Sequence, residues 1–217
     1  MRNFTALFFL MIWMLGANSL FAEKLKVNIT KDLPYVDVDV WGVPVRIQRI
    51  QDTHHKLRNS YIRTSRPTPP FYVQKFQPIP GIETYGELET IYFIRDKLNS
   101  DQGLLIDGRM PQWYKQGTIP GAMNIPFSML ADKRYTEKIL SLFGAQKKGD
   151  KWDFSKALTI LVFDNGPWCQ QAVTAIKHLV ALGYPKEKIK YYRGGMQYWQ
   201  IVGLTVFNPI TLKEVKY

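Results

Sequence analysis

The chain of 217 residues contains one cysteine, Cys169, and three histidines, His54, His55 and His178. A single thiol excludes an internal disulfide framework, and without a cysteine-histidine set there is no zinc site of the usual spacing. His54 and His55 are adjacent, so they point in different directions in any regular element, and no metal is expected there. No Gly-x-x-x-x-Gly-Lys run and no Gly-x-Gly-x-x-Gly fingerprint occurs, so no cofactor is expected. Ser128, Ser155 and the few histidines form no nucleophile-elbow arrangement. Asp164 ends a hydrophobic run as in phosphoaspartate enzymes, but the second aspartate those sites need two positions later is Gly166. Acidic residues are outnumbered, 18 against 29 lysines and arginines, for a formal charge of +11. A basic surface suits anionic partners without selecting one.

Residues 1–22, MRNFTALFFLMIWMLGANSLFA, have a basic start, an apolar run from Phe4 to Ala17 interrupted only by Thr5, and small residues near Ala22. This is the pattern of an export signal, and it predicts a periplasmic or secreted protein. Leu20 is an imperfect residue three places before the cut site, so an uncleaved N-terminal anchor is the alternative. No later segment is long and apolar enough to cross a bilayer. Export argues against nucleic acid as the partner, for which net charge is the only signal.

Residues 23–80 differ in character from the rest of the chain. KVNIT and VDVDVWGVPVRIQRI read as short strands, with Val36, Val38 and Val40 alternating with Asp37 and Asp39 as in a half-buried strand. Next comes SYIRTSRPTPPFYVQKFQPIPG, rich in proline and aromatic residues. The segment is read as an extension that wraps along a domain, or as an edge hairpin with a proline-stiffened linker. Arg46, Arg49, Lys56, Arg58, Arg63 and Arg66 make it the most basic stretch. They form a solvated face or a docking surface for an acidic partner or a membrane surface.

The remainder, residues 81–210, alternates helix-like and strand-like segments. The expected helices are Thr84–Leu98, with Leu88, Ile91, Ile94 and Leu98 on one stripe, Met129–Phe143, Cys169–Leu182 and GMQYWQIVGL. The expected strands are GLLIDGR, a weaker one at Ala122–Ile125, Leu158–Phe163 and KIKYYRG, with QKKGDKWDFSKA as a charged loop. An α/β fold with a central, mostly parallel sheet covered by helices accounts for this order.

Three landmarks in order across Tyr85–Val206 carry a family resemblance. The first is Leu104-Leu105-Ile106-Asp107-Gly108-Arg109, with Trp113, Gly117, Ile119-Pro120-Gly121-Ala122 and Asn124-Ile125-Pro126. The second is TILVFDNGPWCQQAVTAIKHL, Thr159–Leu179, and the third is Arg193-Gly194-Gly195-Met196 with Tyr198-Trp199 and Gly203-Leu204. Together they resemble the rhodanese-like (sulfurtransferase) domain family, and the second landmark resembles its branch with a Cys-x-Gly-Pro-x-Cys loop. The resemblance implies a three-layer α/β domain whose loop cysteine takes sulfane sulfur as a persulfide while backbone N–H groups and a helix start face that sulfur. At the implied nucleophile position this chain has Asp164. Asn165, Gly166, Pro167 and Trp168 fill the implied ligand-binding loop, and Cys169 takes its last place, where many members have arginine. Thr118 stands where members commonly have histidine, and Asp107 and Arg109 are implied to be a structural charge pair. Gly108, Gly121, Gly194 and Gly195 read as turn or close-approach positions.

Two functions are compatible with these departures. One is a binding module without ordinary thiosulfate sulfurtransferase activity, recognising a small ligand or a periplasmic protein through the loop and a rim of Trp113, Trp168 and Trp199. The other is a sulfurtransferase, sulfur carrier or thiol redox protein acting through Cys169 on a sulfur-containing anion or a persulfide.

Overall fold

The computed structural model describes residues 25–217; the expected export signal at 1–22 lies outside them. Alternating valines on Tyr35–Val40 (β1) and Val43–Gln48 (β2) make an antiparallel hairpin whose inward face, Val36, Val38, Val40, Val45 and Ile47, is buried. Residues 49–82 then run along the molecule to Glu83–Tyr85 (β3).

From there the chain builds a parallel sheet. In sequence order come Glu87–Phe93 (α1), Gly103–Asp107 (β4), Pro111–Tyr114 (α2), Met123–Asn124 (β5), Phe127–Ala131 (α3) and Lys133–Leu142 (α4). After them come Gln146–Lys148 (β6), Lys151–Asp153 (β7), Thr159–Phe163 (β8), Gln171–Ala181 (α5), Ile189–Tyr192 (β9), Gly195–Ile201 (α6), Val206–Asn208 (β10) and Lys213–Val215 (β11). The five-stranded sheet has the order β3-β9-β8-β4-β5 and every pairing is parallel. Both faces are covered, which is why β8, Thr159–Phe163, is apolar without a break from Ile160 to its end. One face packs with α3, α4 and α5 around Ile160, Val162, Ile176 and Tyr191. The other packs with α1, α6 and the β1-β2 hairpin around Leu161, Phe163, Trp199 and the hairpin valines.

Four local expectations are corrected. KVNIT is not a strand, because the Gln51 side-chain amide bonds Val27 at both its N–H and its C=O, replacing a ladder partner. The Thr84–Leu98 segment starts as strand β3. Glu89 then bonds the Gly86 N–H to start α1, which widens into a π turn at Ile94–Leu98. Met129–Phe143 is two helices, since Asp132 is extended and its carboxylate accepts from the Arg134 N–H to cap α4. The charged loop is the β6-β7 hairpin, turned at Gly149 with φ of +60°.

Candidate active site

β8 ends at Phe163, and the chain turns through Asp164–Gln170 before α5 begins at Gln171. The helix thus starts two residues later than expected, and Cys169 lies in the turn itself, its N–H donating to the Gly166 carbonyl at 2.9 Å. The loop rests on the start of α6, where the Met196 and Gln197 N–H groups donate to the carbonyls of Asp164 and Asn165, each at 3.0 Å. This contact requires glycine at 195. The residue has φ of +54°, and a Cβ there would meet the Gly166 nitrogen at 2.6 Å.

Asp164 is fully buried. Its carboxylate accepts from the Gly166 N–H at 3.1 Å and from the Ala172 N–H, in the first turn of α5, at 2.8 Å. Two of the donors that the loop and helix start offer to an anion are therefore bonded to a side chain of this chain. Burial nevertheless pushes the Asp164 carboxyl up to about 7, with the two N–H bonds and Cys169 pulling the other way.

Cys169 is 2% exposed, and it is the only thiol. Burial first, and the Asp164 charge second, push it up to about 12. The N–H groups of Gln171 and Asn165 and the Asn165 side chain favour the thiolate and offset part of that rise. Asn165 Nδ2 lies 3.7 Å from Sγ, so the sulfur sits among donors although water scarcely reaches it.

Beside the loop, Asp107 and Arg109 form a buried ion pair, with Nη2 to Oδ2 at 2.6 Å and Nε to Oδ1 at 2.9 Å. Thr118 Oγ1 donates to Asp107 Oδ2 at 2.7 Å, and Arg109 Nη2 also donates to the Gly117 carbonyl at 2.7 Å. Burial alone would lower the Arg109 pKa, but Asp107 and the Tyr61 oxygen more than offset it, so the guanidinium is held charged.

The arc from 59 to 74, part of the segment read either as an extension that wraps along a domain or as a hairpin with a proline-stiffened linker, lies directly on this site. Tyr61 is buried; its hydroxyl accepts from Arg109 Nη1 at 3.1 Å and donates to Asn165 Oδ1 at 2.8 Å. Gln197 Nε2 donates to the Tyr61 carbonyl at 2.8 Å, and its Oε1 accepts from Trp168 Nε1 at 2.5 Å. At the far end the N–H groups of Tyr72 and Gln74 donate to the carbonyls of Trp168 and Pro167, at 3.1 and 2.7 Å. Arg193 Nη2 donates to the Gln74 carbonyl at 3.0 Å. Between these ends the Arg66 guanidinium lies 3.6 Å over the Trp168 ring, and Phe71 meets the same indole edge-on at 5.1 Å.

Trp113 and Trp168 are half-buried neighbours, 6.4 Å between ring centroids, but Trp199 is wholly buried and bonds the Thr205 carbonyl, so it belongs to the core and not to a rim. A cavity of about 180 Å³ opens between Tyr61, Arg109, Trp113, Gln116 and Gln200. Among the described residues, no group of three or more His, Cys, Asp or Glu side chains is placed to hold a metal ion. Tyr61, Phe71 and Gln197 were not singled out from the sequence, and Arg66 was named only as part of the basic stretch. The signal was the aromatic content of a segment otherwise composed like a linker, since a free linker has no use for buried rings.

A parallel sheet wrapped by helices, with a tight glycine-proline loop delivering its backbone to a helix start, defines a class of α/β domains that present one loop as their reactive or binding element. Residues 92–201 match the rhodanese-like domain family, and the chain belongs to it. Among solved structures, a protein from Bacillus halodurans is similar at 22% identity and a TM-score of 0.44, over 62% of this chain and 84% of that one. Human single-domain sulfurtransferase TSTD1 is similar at 24% identity and a TM-score of 0.38, over 54% and 93%. The Saccharomyces cerevisiae single-domain sulfurtransferase RDL2 is similar at 19% identity and a TM-score of 0.39, over 56% and 91%. No curated protein matches the chain. Membership of the family and a single cysteine inside the domain fit a sulfur-related role.

Proposed function

We propose that this protein is a rhodanese-fold sulfur carrier in which Cys169 takes up sulfane sulfur and ordinary transfer from thiosulfate to cyanide at position 164 is lost. The observation that carries this reading is the arrangement of one loop. The Asp164 carboxylate takes the N–H groups of Gly166 and Ala172, while the Cys169 sulfur has the Asn165 amide beside it. A carboxylate in the position the family resemblance gives to the nucleophile repels thiosulfate and is a poor sulfur acceptor. Cys169 is the remaining nucleophile of the loop.

The reaction is a displacement. The Cys169 thiolate attacks the outer sulfur of a small persulfide, the sulfur–sulfur bond breaks, and the donor's thiolate leaves with the bonding pair, giving a cysteine persulfide of one negative charge. Thiosulfate reacts in the same sense with sulfite as the leaving group, but the Asp164 carboxylate disfavours its approach. Cyanide then removes the outer sulfur as thiocyanate and returns the thiolate. Burial of the sulfur and its raised pKa keep this slow in the structure as described.

That same burial supports a second reading, a binding module that recognises a periplasmic partner or a small anion through the loop and its tryptophans. Both readings include export to an oxidising compartment, for which residues 1–22 are the support; N-terminal sequencing of the mature chain beginning at Glu23 tests it. The two readings separate on intact mass after incubation with thiosulfate or with a small-molecule persulfide, using Cys169→Ala and Asp164→Cys as controls. A cyanide-labile gain of one sulfur atom, lost in Cys169→Ala, supports the carrier. No gain on the native chain, with activity appearing only in Asp164→Cys, leaves the binding module.

A further inference from the structure

We propose that residues 59–74 are a strap that gates Cys169, closing over the loop as described and opening to admit the reagent that meets the thiol. The proposal rests on the reading of Cys169 as the functional thiol, and it adds the device that controls access.

The two ends of the strap are held differently from its middle. At one end Tyr61 is in the core, bonded to Arg109 and Asn165. At the other, the Tyr72 and Gln74 N–H groups bond loop carbonyls. Between them, residues 62–65 and 67–70 are exposed, and the hydrogen bonds of this arc stay within the strap, as with Phe71 N–H to the Pro67 carbonyl and Arg66 to the Arg63 and Ser60 carbonyls. The side chains that reach the loop from this arc are Arg66, stacked on Trp168, and Phe71, edge-on to the same ring. Pro67, Pro69 and Pro70 stiffen the arc, so it moves as a piece. A segment with few buried contacts, resting on a rigid sheet, belongs to the low-stability end of a fold, from which lids are drawn.

The contacts that close the strap are made to the two residues that stand beside the thiol, Trp168 and Asn165. Trp168, adjacent to Cys169, is covered by Arg66, Phe71 and Trp113. Asn165 joins strap to thiol directly, its Oδ1 held by the Tyr61 hydroxyl and its Nδ2 facing Sγ. Lifting the arc therefore uncovers the indole beside the thiol, and loosening its Tyr61 end releases the amide that flanks the sulfur. The cover is intramolecular and uses hydrogen bonds a few at a time, so it can reopen without unfolding the sheet.

The test is the rate at which a neutral alkylating reagent labels Cys169 in the full chain, compared with the urea-unfolded chain, Arg66→Ala and Tyr61→Phe. The native chain is expected to label far more slowly than the unfolded one. Arg66→Ala, which removes a partly exposed stack, should raise the rate about three- to tenfold. Tyr61→Phe, which deletes two hydrogen bonds, should raise it by about tenfold. Hydrogen exchange on the unmutated protein is the second measurement, with the Tyr72 and Gln74 amides expected to exchange well before that of Leu161 in β8. Labelling of folded Arg66→Ala at the native rate, or Tyr72 and Gln74 amides as protected as Leu161, overturns the gate. Faster alkylation with no sulfur uptake in any variant keeps the gate and removes the carrier function. Equal sulfur uptake with the strap intact and loosened keeps the carrier and removes the gate.

Discussion

Asp164 is the residue with the largest electrostatic consequence, because its carboxyl is buried and pushed up to about 7 while the unfolded chain releases the same proton near the ordinary aspartate value. Between those two values the folded chain holds a proton the unfolded chain has lost. Stability therefore falls as pH rises through this window and levels off above about 7, with a slope approaching about 1.4 kcal/mol per pH unit. Thermal melts of the native chain and Asp164→Asn from pH 4 to 8 check the sign: the native melting temperature should fall relative to the variant. The same substitution removes the charge second only to burial in raising the Cys169 pKa, so the alkylation profile of Asp164→Asn should move to lower pH. A second prediction at this scale concerns Arg109. Arg109→Met leaves the Asp107 carboxylate buried without its partner, and a loss of about 3–5 kcal/mol in denaturant unfolding is expected. Asp107 and Arg109 are named in the first landmark of the sequence, but Tyr61, which accepts from Arg109, lies 48 residues away and only the fold brings it there.

At the scale of elements, the β1-β2 hairpin belongs to the same core as α6 and the sheet. Ile47 is fully buried, in one cluster with Phe163, Trp199 and Leu204. Ile47→Ala should cost about 2–5 kcal/mol, as expected for a large-to-small change in a close-packed interior, measured by chemical denaturation. The alternation of valine and aspartate made the hairpin legible, and the apolar run of β8 did the same for the central strand. The helix boundaries were not legible to the same degree. Asp132 falls inside the segment expected as one helix, but its side chain competes for backbone N–H groups and splits the segment into α3 and α4. The start of α5 is not legible at this precision, because a turn bonded from the Cys169 N–H to the Gly166 carbonyl and a helical turn share the same local composition.

For the whole molecule, the hairpin and the sheet share one buried cluster, and residues 59–74 bond to the loop at both ends. Unfolding should therefore be a single cooperative transition in which tryptophan fluorescence and far-ultraviolet circular dichroism coincide. Two separated transitions would show that residues 23–80 form a unit of their own. Among the described residues no helix is long and apolar enough to cross a membrane.

The alternation of apolar strands and helices, the three ordered landmarks and the aspartate at position 164 were all present in the chain itself. They determined the α/β class, the family resemblance and the loop worth attention, because each depends on residues close in sequence. What only the tertiary structure decided was where the proline-rich segment goes. Its contacts with Asn165, Trp168 and Arg109 span about a hundred residues or join separate elements, and a linker-like composition carries no record of what it packs against. The burial of Cys169 is of the same kind. A thiol at a helix start reads as activated, whereas the folded chain covers it and sets a buried carboxylate beside it, and desolvation is a property of the packed molecule alone.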